Sequence, residues 1–423
     1  MGMVTQAMDG VGSEPGAFGN RIMELAERLA QWSEIPDGLT CTYLSPAHRS
    51  VAAEIRNWMR QAGLITEIDA VANVVGRYAA PDPAAPTLIV ASHYDTVRNA
   101  GKYDGRLGVL TALVLVEHLK RLGRELPFHL DVIAFSEEEG VRFSSSFLGS
   151  RAVAGRFDGK LLDRQDADGH ILAAVMRDAG LDPARIPALA RRREELMGYL
   201  EVHIEQGPVL LEEGLPVGIV SAIAGSVRST VTITGTAGHA GTVPMARRHD
   251  AAAAAAELVL YVERRCAQEP IVGTVGQLFV PNGATNIIPG RCELTLDIRA
   301  GDDAVRDAAV SDVAAEITRI AARRGVSIAS REVQRTATVP CSPRLQSLLA
   351  DAVARAGITP RHLPSGAGHD GMMFDGLTDV AMLFVRCGNG GVSHSPREII
   401  TAEDADIAAR VMLDAVLRLA ETS

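Results

Sequence analysis

Histidine and carboxylate residues follow two apolar segments of the chain, and both residue types ligate divalent metals. His93 directly follows the apolar run 87–92, and three consecutive glutamates, 137–139, directly follow the run 129–135. Adjacent carboxylates repel one another, and a bound cation is the natural compensation. Histidine with carboxylate, in the absence of cysteine, is typical of catalytic zinc or another divalent first-row metal. The sequence therefore predicts a metal-dependent catalytic site.

Other positions supply the same residue types. Asp104 lies in a loop flanked by glycines, His203 lies near the end of another apolar segment, and His394 lies in a glycine-containing loop. Glycine permits the tight turns that bring a carboxylate close to a metal. Asp95, two residues after His93, can orient the imidazole ring through a hydrogen bond. No single spacing among these residues is diagnostic, since a lone histidine or an acidic run is more often structural.

Composition narrows the class of protein. With 423 residues, 47% of them hydrophobic and 22% charged, the chain is expected to form two globular domains. The net charge of -10 disfavours nucleic acid or an anionic membrane as a partner. The five cysteines form no CxxC pair, which is typical of reduced cytoplasmic thiols. We see no signal peptide and no membrane-spanning run of about 20 apolar residues, and we expect a cytoplasmic location.

Short apolar runs alternate with helical periodicity, which predicts an α/β catalytic domain with a mostly parallel sheet. Ser45 before Pro46 predicts the start of a helix. Ligands of such sheets bind at the carboxyl ends of the strands, where His93 and the glutamate run lie. The predicted strands are 87–92, 129–135, 200–204 and 380–385, and the predicted helices include 21–30, 46–62 and 108–122.

The middle of the chain has the order strand-helix-strand-strand-helix-strand, which is typical of a ferredoxin-like α+β unit. Its predicted strands are 230–234, 274–280, 292–298 and 326–332, and its helices are 250–266 and 303–322. We therefore predict a catalytic domain in two parts, 1–217 and 336–423, interrupted by an inserted domain at 218–335. Hinges near Gly218 and Arg335 would suit a lid.

Together these segments resemble the hydantoinase/carbamoylase branch of the dinuclear zinc aminoacylase and peptidase superfamily. The matching strings occur in that family's order and cover essentially the whole chain. Ala100 departs from the paired glycines common before the aspartate, and Gly371 stands where alanine is frequent. The strings are SHYDTV (92–97), YDG (103–105), EEGVRF (138–143), HIEQG (203–207), GHAG (238–241), NIIPG (286–290), SGAGHD (365–370) and VSHSP (392–396).

The resemblance implies two divalent metal ions and a role for each candidate ligand. Asp104 would bridge the two ions, and Glu138 would act as the general base. Zinc is the first choice, while manganese, cobalt and nickel also suit histidine and carboxylate ligands. The ligands besides Asp104 would be His93 and His203 for one ion, and Glu139 and His394 for the other.

The resemblance further implies a homodimer joined through the inserted domain, which would serve for dimerisation and as a lid. His239 would cross to the partner's active site and stabilise the oxyanion, and Asn286 would also reach the substrate. Arg299 would bind a substrate carboxylate, although its position alone favours a strand-end salt bridge. The remaining pocket residues would be Gln206, Gly366, Ala367 and Gly368.

These features predict the hydrolysis of a linear ureido amide that carries a carboxylate. The first candidate is an N-carbamoyl-L-amino acid, which would yield the amino acid, ammonia and carbon dioxide. Allantoate is the alternative substrate. A dipeptidase or aminoacylase activity, and a metal-free binding protein that keeps the fold, are further alternatives.

Overall fold

A computed structural model of the chain describes residue 14, residues 16–267 and residues 270–422. These residues divide into two compact units. The first comprises the described residues up to Ser221, Cys341–Leu363, and the described residues from His369 onwards. The second comprises Ala222–Pro340 and Pro364–Gly368. The sequence analysis places the insertion at 218–335, and it does not anticipate that residues 364–368 belong to the second unit.

Strands and helices alternate through most of the described chain. The strands are β1 (Ile65–Ile68), β2 (Val74–Tyr78), β3 (Thr87–His93), β4 (His129–Phe135), β5 (Leu196–Ile204), β6 (Val217–Ile223), β7 (Gly225–Thr234), β8 (Gly238–His239), β9 (Ile271–Thr274), β10 (Leu278–Phe279), β11 (Ile287–Ile288), β12 (Arg291–Ala300), β13 (Ser327–Thr336), β14 (Val339–Pro340), β15 (His362–Ser365) and β16 (Val380–Val385). The α-helices are α1 (Ala17–Ala30), α2 (Pro46–Gln61), α3 (Arg106–Arg121), α4 (Leu148–Val153), α5 (Leu172–Asp178), α6 (Val209–Glu213), α7 (Ala251–Cys266), α8 (Asp303–Arg324), α9 (Pro343–Arg355) and α10 (Ala402–Thr422).

The sheet of the first unit has the strand order β1-β2-β4-β3-β5-β16-β6. Its four central strands, β4, β3, β5 and β16, are parallel to their neighbours within that group. Every residue of β3, β4 and β16 is buried, because helices cover both faces of a parallel sheet. The predicted α/β fold with a parallel central sheet is therefore confirmed, and the carboxyl ends of these strands lie at one edge.

Helix α3 begins directly after the loop that carries Asp104 and packs against β3 and β5. Gly108 lies at this contact. A Cβ atom there would lie 2.2 Å from the carbonyl oxygen of Val202 and 2.6 Å from Cβ of Ser92. Because Gly108 has no side chain, the first turn of the helix lies against the strand ends. This close approach positions the Asp104 loop beside them.

The second unit has the sheet order β10-β12-β7-β13, with β9 also paired to β12. Each of these pairs is antiparallel. Alternate residues of β12 are buried, and they form a core with α7 and α8. The prediction of one strand at 274–280 is wrong, since β9 and β10 are separate. Gly276 lies between them, and glycine weakens a strand interior.

One helix in each unit illustrates a side-chain cap that the sequence favours. Oγ of Ser45 accepts a hydrogen bond from the backbone N–H of His48, as predicted for the start of α2. The side chain of Asp302 accepts from the backbone N–H groups of Ala304 and Val305 at the start of α8. Among the described residues, no helix is both long and apolar enough to cross a bilayer.

We expect Gly108→Ala to lower the free energy of unfolding by about 1–3 kcal/mol, the usual cost of overpacking. The added methyl group must displace backbone or Ser92, and neither is the far end of a flexible side chain. Urea unfolding followed by circular dichroism measures the effect. Gly159→Ala is the control, because a Cβ atom at this exposed position meets nothing within 4 Å. Equal stabilities of the two variants would contradict this account of the helix packing.

Candidate metal centre

Asp104 lies at the centre of the predicted ligand set, and its two carboxylate oxygens face different partners. Oδ1 lies 3.2 Å from Nε2 of His203 and 3.6 Å from Nε2 of His93. Oδ2 lies 3.0 Å from Nε2 of His394, which is itself 3.5 Å from Oε1 of Glu139. One carboxylate therefore joins two separate groups of donor atoms.

The two groups share the chemistry of divalent-metal sites. Within the group of His93, Asp104 and His203, and within that of Asp104, Glu139 and His394, the ligand atoms all lie within 4.8 Å of one another. Oε1 of Glu139 is buried and accepts no hydrogen bond from the described residues. A buried carboxylate oxygen without a donor is costly, and a cation removes that cost. The residues present therefore fit two divalent cations.

The ends of the central strands bring these side chains together. His93 is the last residue of β3, and the glutamate run 137–139 follows β4 after one residue. His203 lies near the end of β5, and His394 lies in the loop after β16. Asp104 lies immediately before the N-cap of α3, where the helix dipole favours a negative charge. The centre therefore lies at the carboxyl ends of the parallel strands, where the sequence predicts it.

Unusual backbone conformations are found around the centre. Glu137, Gln206 and His394 have positive φ angles of 53°, 57° and 54°. Each left-handed residue with a side chain costs on the order of 1 kcal/mol, and such strain is common at functional sites. Gly105 has a φ of 64°, and a Cβ atom there would lie 2.4 Å from the ring of His93. Glycine is therefore required beside Asp104.

Asp95 connects His93 with the glutamate run. Its Oδ1 accepts a hydrogen bond from the backbone N–H of Glu138 at 3.1 Å, and its Oδ2 accepts from that of Glu139 at 3.2 Å. Nδ1 of His93 lies 3.2 Å from the carbonyl oxygen of Asp95 and 3.7 Å from its carboxylate. The ring thus pairs mainly with the backbone of Asp95, while the carboxylate orders the glutamates.

Burial is the largest influence on the two glutamates. It raises the pKa of Glu138 well above its ordinary value, and the nearby His93 only partly opposes this rise. Burial, reinforced by the charge of Asp104, raises the pKa of Glu139 to about 7. Oε2 of Glu138 lies 3.9 Å from Nε2 of His93, beside the ligands. A carboxylate of raised pKa in this position can accept and hold a proton near neutral pH.

The pKa of Asp104 is lowered, whereas the pKa values of the two glutamates are raised. Burial alone raises the pKa of Asp104, but hydrogen bonds from His203, His394 and His93 lower it well below its ordinary value. The hydrogen bond to Asp104 raises the pKa of His394 to about 9. At pH 7 without metal, Asp104 is therefore ionised and His394 is protonated. A metal that binds His394 must displace this proton.

Gln206 lies closer to the ligands than a pocket-lining role requires. Its Nε2 donates a hydrogen bond to Oδ2 of Asp104 at 3.0 Å and lies 3.4 Å from Nε2 of His394. Behind it, Oγ of Ser393 lies 3.3 Å from the same Oδ2 and donates to Glu398 at 2.8 Å. Ser393 and Glu398 were not predicted as functional residues. Ser393 lies within the VSHSP string and Glu398 lies two residues after it, and this is the signal that could have indicated them.

Two further buried groups lie beside the predicted ligands. The ring of His369 lies 4.4 Å from the ring of His203. Glu201 accepts hydrogen bonds from the hydroxyl groups of Ser92 and Tyr199. His369 occurs in the family-like string SGAGHD, whereas Glu201 has no signal beyond its place in a strand that ends at the centre.

The other predicted substrate residues lie in the second unit. His239 and Asn286 are exposed, and the neighbouring backbones pair where the N–H of Ala240 donates to the carbonyl oxygen of Asn286 at 2.9 Å. Arg299 forms an ion pair with Asp297 at 2.8 Å, and its Nη1 donates to the carbonyl oxygen of Gly366 at 2.9 Å. The salt bridge that the position of Arg299 favours is therefore present. Residues 366–368, which were also predicted to line the pocket, lie in the second unit as well.

Comparison with known proteins identifies the family. Residues 89–418 match the family described as peptidase family M20/M25/M40. The chain belongs to this family. It is 40% identical over 402 residues to the N-carbamoyl-L-amino acid amidohydrolase of Geobacillus stearothermophilus, covering 95% of this chain and 97% of that protein. It is also 40% identical to a probable allantoate deiminase of Oryza sativa subsp. japonica, covering 92% of this chain and 87% of the relative.

Solved structures agree with this assignment. A hydantoinase/carbamoylase family amidase from Burkholderia multivorans superposes with a TM-score of 0.89 at 31% identity, over 95% of this chain and 98% of that one. The resemblance to the hydantoinase/carbamoylase branch is therefore confirmed. The chain is a hydrolase of linear amides, in a family that generally depends on two metals.

We expect Glu138→Gln to keep both metals and to lose about 10²–10⁴-fold in kcat, because a general base is removed. Glu139→Gln should instead lose one metal per chain, since a neutral amide is a poor ligand. Elemental analysis and steady-state kinetics on the same preparations measure both effects. Glu403→Gln, at an exposed position of α10, is the control. Metal loss in Glu138→Gln and retention in Glu139→Gln would interchange the two roles.

Proposed function

We propose that the protein hydrolyses a linear ureido amide that carries a carboxylate, with an N-carbamoyl-L-amino acid as the first candidate. The products would be the amino acid, ammonia and carbon dioxide. The observation that carries the proposal is the carboxylate of Asp104 between two groups of ligands, in a chain similar to an N-carbamoyl-L-amino acid amidohydrolase. Zinc is the first choice of metal, and manganese, cobalt and nickel suit the same ligands.

In the proposed mechanism, His93 and His203 would hold one ion, Glu139 and His394 would hold the other, and Asp104 would contact both. Two such ions lower the pKa of a water molecule and polarise a carbonyl group. Glu138 accepts the proton of the attacking water and returns it to the departing nitrogen. The carbamic acid that remains then breaks down to carbon dioxide and the second amine. The carboxylate of Asp95 accepts a hydrogen bond from the backbone N–H of Glu138 and so holds Glu138 in place while it moves this proton.

The second unit would recognise the carboxylate of the substrate through Arg299. A guanidinium group has five N–H donors. Nε and Nη2 each donate one to Asp297, and Nη1 donates one to Gly366. One N–H on each terminal nitrogen is left, which suits the two oxygens of a carboxylate. Asp297 and Gly366 would hold the guanidinium plane in a fixed orientation.

We assign the remaining predicted residues to the same substrate. His239 would donate to the developing oxyanion, and a contact of this kind is worth roughly 3–4 kcal/mol in other enzymes. Asn286 would bind the polar part of the substrate, since its backbone lies beside that of His239. The other proposed pocket residues are Gln206, Gly366, Ala367 and Gly368.

The second unit would be an inserted ferredoxin-like domain through which two copies form a homodimer. Its antiparallel sheet supports the first part of this proposal. Leu278 and Phe279, on strand β10 at one end of the sheet order, are 55% and 60% exposed, and exposed apolar patches are common at subunit interfaces. The exposed ring of His239 would be able to reach a second copy.

A cytoplasmic location remains our proposal. All five cysteines are free thiols, and four of them are buried. Free thiols are usual in a reducing compartment. The acidic net charge of -10 also suits a small-molecule enzyme better than a partner of nucleic acid or anionic lipid.

Allantoate is the second candidate substrate. It also combines a ureido group with a carboxylate, and the similarity to a probable allantoate deiminase equals that to the carbamoylase at 40% identity. The position of Arg299 suits either carboxylate. The ligand set acts on the amide bond that both substrates contain, so it does not favour one of them.

We expect a larger kcat/KM for N-carbamoyl-L-methionine than for allantoate when one zinc-loaded preparation is assayed with both. The measurement is ammonia release, with a dipeptide panel in parallel. Arg299→Lys should lower kcat/KM for the preferred substrate, because lysine keeps the charge but loses the paired donors. A much larger value with allantoate would exchange the two candidates. Dipeptide hydrolysis without ureido hydrolysis would refute the proposal.

A further inference from the structure

The buried carboxylate of Glu398 joins two loops of the metal centre. Its Oε1 accepts hydrogen bonds from the backbone N–H groups of Tyr103 and Asp104, at 2.9 and 3.1 Å. Its Oε2 accepts from the hydroxyl group of Ser393 at 2.8 Å. Glu398 and Asp104 are 294 residues apart in sequence, and Glu398 is only 3% exposed. One side chain thus contacts the Asp104 loop and the loop of His394.

The Asp104 loop leaves space for this carboxylate. A Cβ atom on Gly101 would lie 2.3 Å from Cδ of Glu398 and also 2.3 Å from its Oε1. Any residue other than glycine would therefore displace Glu398 or the loop. Tight contact at Gly101 and three accepted hydrogen bonds hold the carboxylate in one position.

Ser393 stands between Glu398 and the metal ligand. Its Oγ lies 2.8 Å from Oε2 of Glu398 and 3.3 Å from Oδ2 of Asp104. A hydroxyl group has a single hydrogen to donate. Because the Glu398 oxygen is closer, we place this hydrogen on the Glu398 side. Oδ2 of Asp104 already accepts a hydrogen bond from Nε2 of Gln206 at 3.0 Å, and its other lone pair then stays available to a cation.

We propose that Glu398 is a positioning residue that directs the Ser393 hydroxyl away from Asp104 and so keeps Oδ2 available to the second metal. The second metal is the ion assigned to Glu139 and His394. This inference rests on the two-metal site of the proposed function. Residues behind the ligands commonly change metal affinity by about 10–100-fold, so a measurable effect is expected.

The variant Glu398→Gln tests the direction of the hydroxyl. Its amide oxygen should face the backbone N–H groups of Tyr103 and Asp104, which need an acceptor. Its NH₂ group then faces Oγ of Ser393 as a donor. The serine hydrogen must turn towards Oδ2 of Asp104, where it competes with the cation.

The measurement is the stepwise Zn²⁺ affinity of the full-length protein, from competition with a chelating indicator. In Glu398→Gln the step assigned to Glu139 and His394 should lose about 10–100-fold in affinity, while the step assigned to His93 and His203 changes little. In Glu398→Gln with Ser393→Ala the hydrogen is absent, so the affinity should return to that of Ser393→Ala alone. Glu403→Gln is the matched control at an exposed site.

The Zn²⁺ titrations distinguish failure of the Glu398 proposal from failure of the two-metal site. An equal loss of Zn²⁺ affinity at both steps would contradict the proposal, because Glu398 would then have only a structural role. A double variant that binds Zn²⁺ as weakly as Glu398→Gln would have the same meaning. Binding of only one Zn²⁺ by the unmodified protein would refute the two-metal site itself. If Glu398→Gln does not fold, Gly101→Ala provides the test, because it displaces the carboxylate without removing it. The same selective loss is then expected, and its absence contradicts the proposal.

Discussion

The sharing of one carboxylate between two groups of ligands is the constraint on which the site depends. Asp104 is almost fully buried, with Glu138 and Glu139 nearby, so negative charge is concentrated where water cannot screen it. Histidines on both oxygens of Asp104 stabilise its ionised form, and burial raises the pKa of both glutamates. Two cations would compensate all these groups at once.

Three glycines at close contacts position the loop of Asp104 and its neighbours. Gly108 lets α3 approach the strand ends, Gly105 makes room for the ring of His93, and Gly101 makes room for Glu398. Each glycine permits a contact that a methyl group would block. Glu137 and His394 also have left-handed backbone conformations, which are common at functional sites. Stability and site geometry are therefore linked through a few close contacts.

Much of this arrangement is predictable from local sequence. The runs before His93 and the glutamates predict buried strands, and parallel strands place their carboxyl ends together, so the ligand positions follow. The roles of Glu398 and Ser393 depend on contacts across 294 and 289 residues. The VSHSP string places both residues near His394, but it does not show these contacts, so the sequence analysis does not predict the roles. The membership of residues 364–368 in the second unit likewise depends on tertiary contacts, whereas Gly276 is a local signal for the interruption between β9 and β10.

The most direct test of the shared carboxylate is X-ray absorption at the zinc edge of the loaded protein. If Asp104 bridges two ions, a zinc–zinc scattering distance of about 3.5–4 Å should be present. It should disappear in Asp104→Asn, which offers one oxygen and one NH₂ group in place of two oxygens. Two bound zinc ions per chain without this scattering distance, or its persistence in Asp104→Asn, would contradict the account.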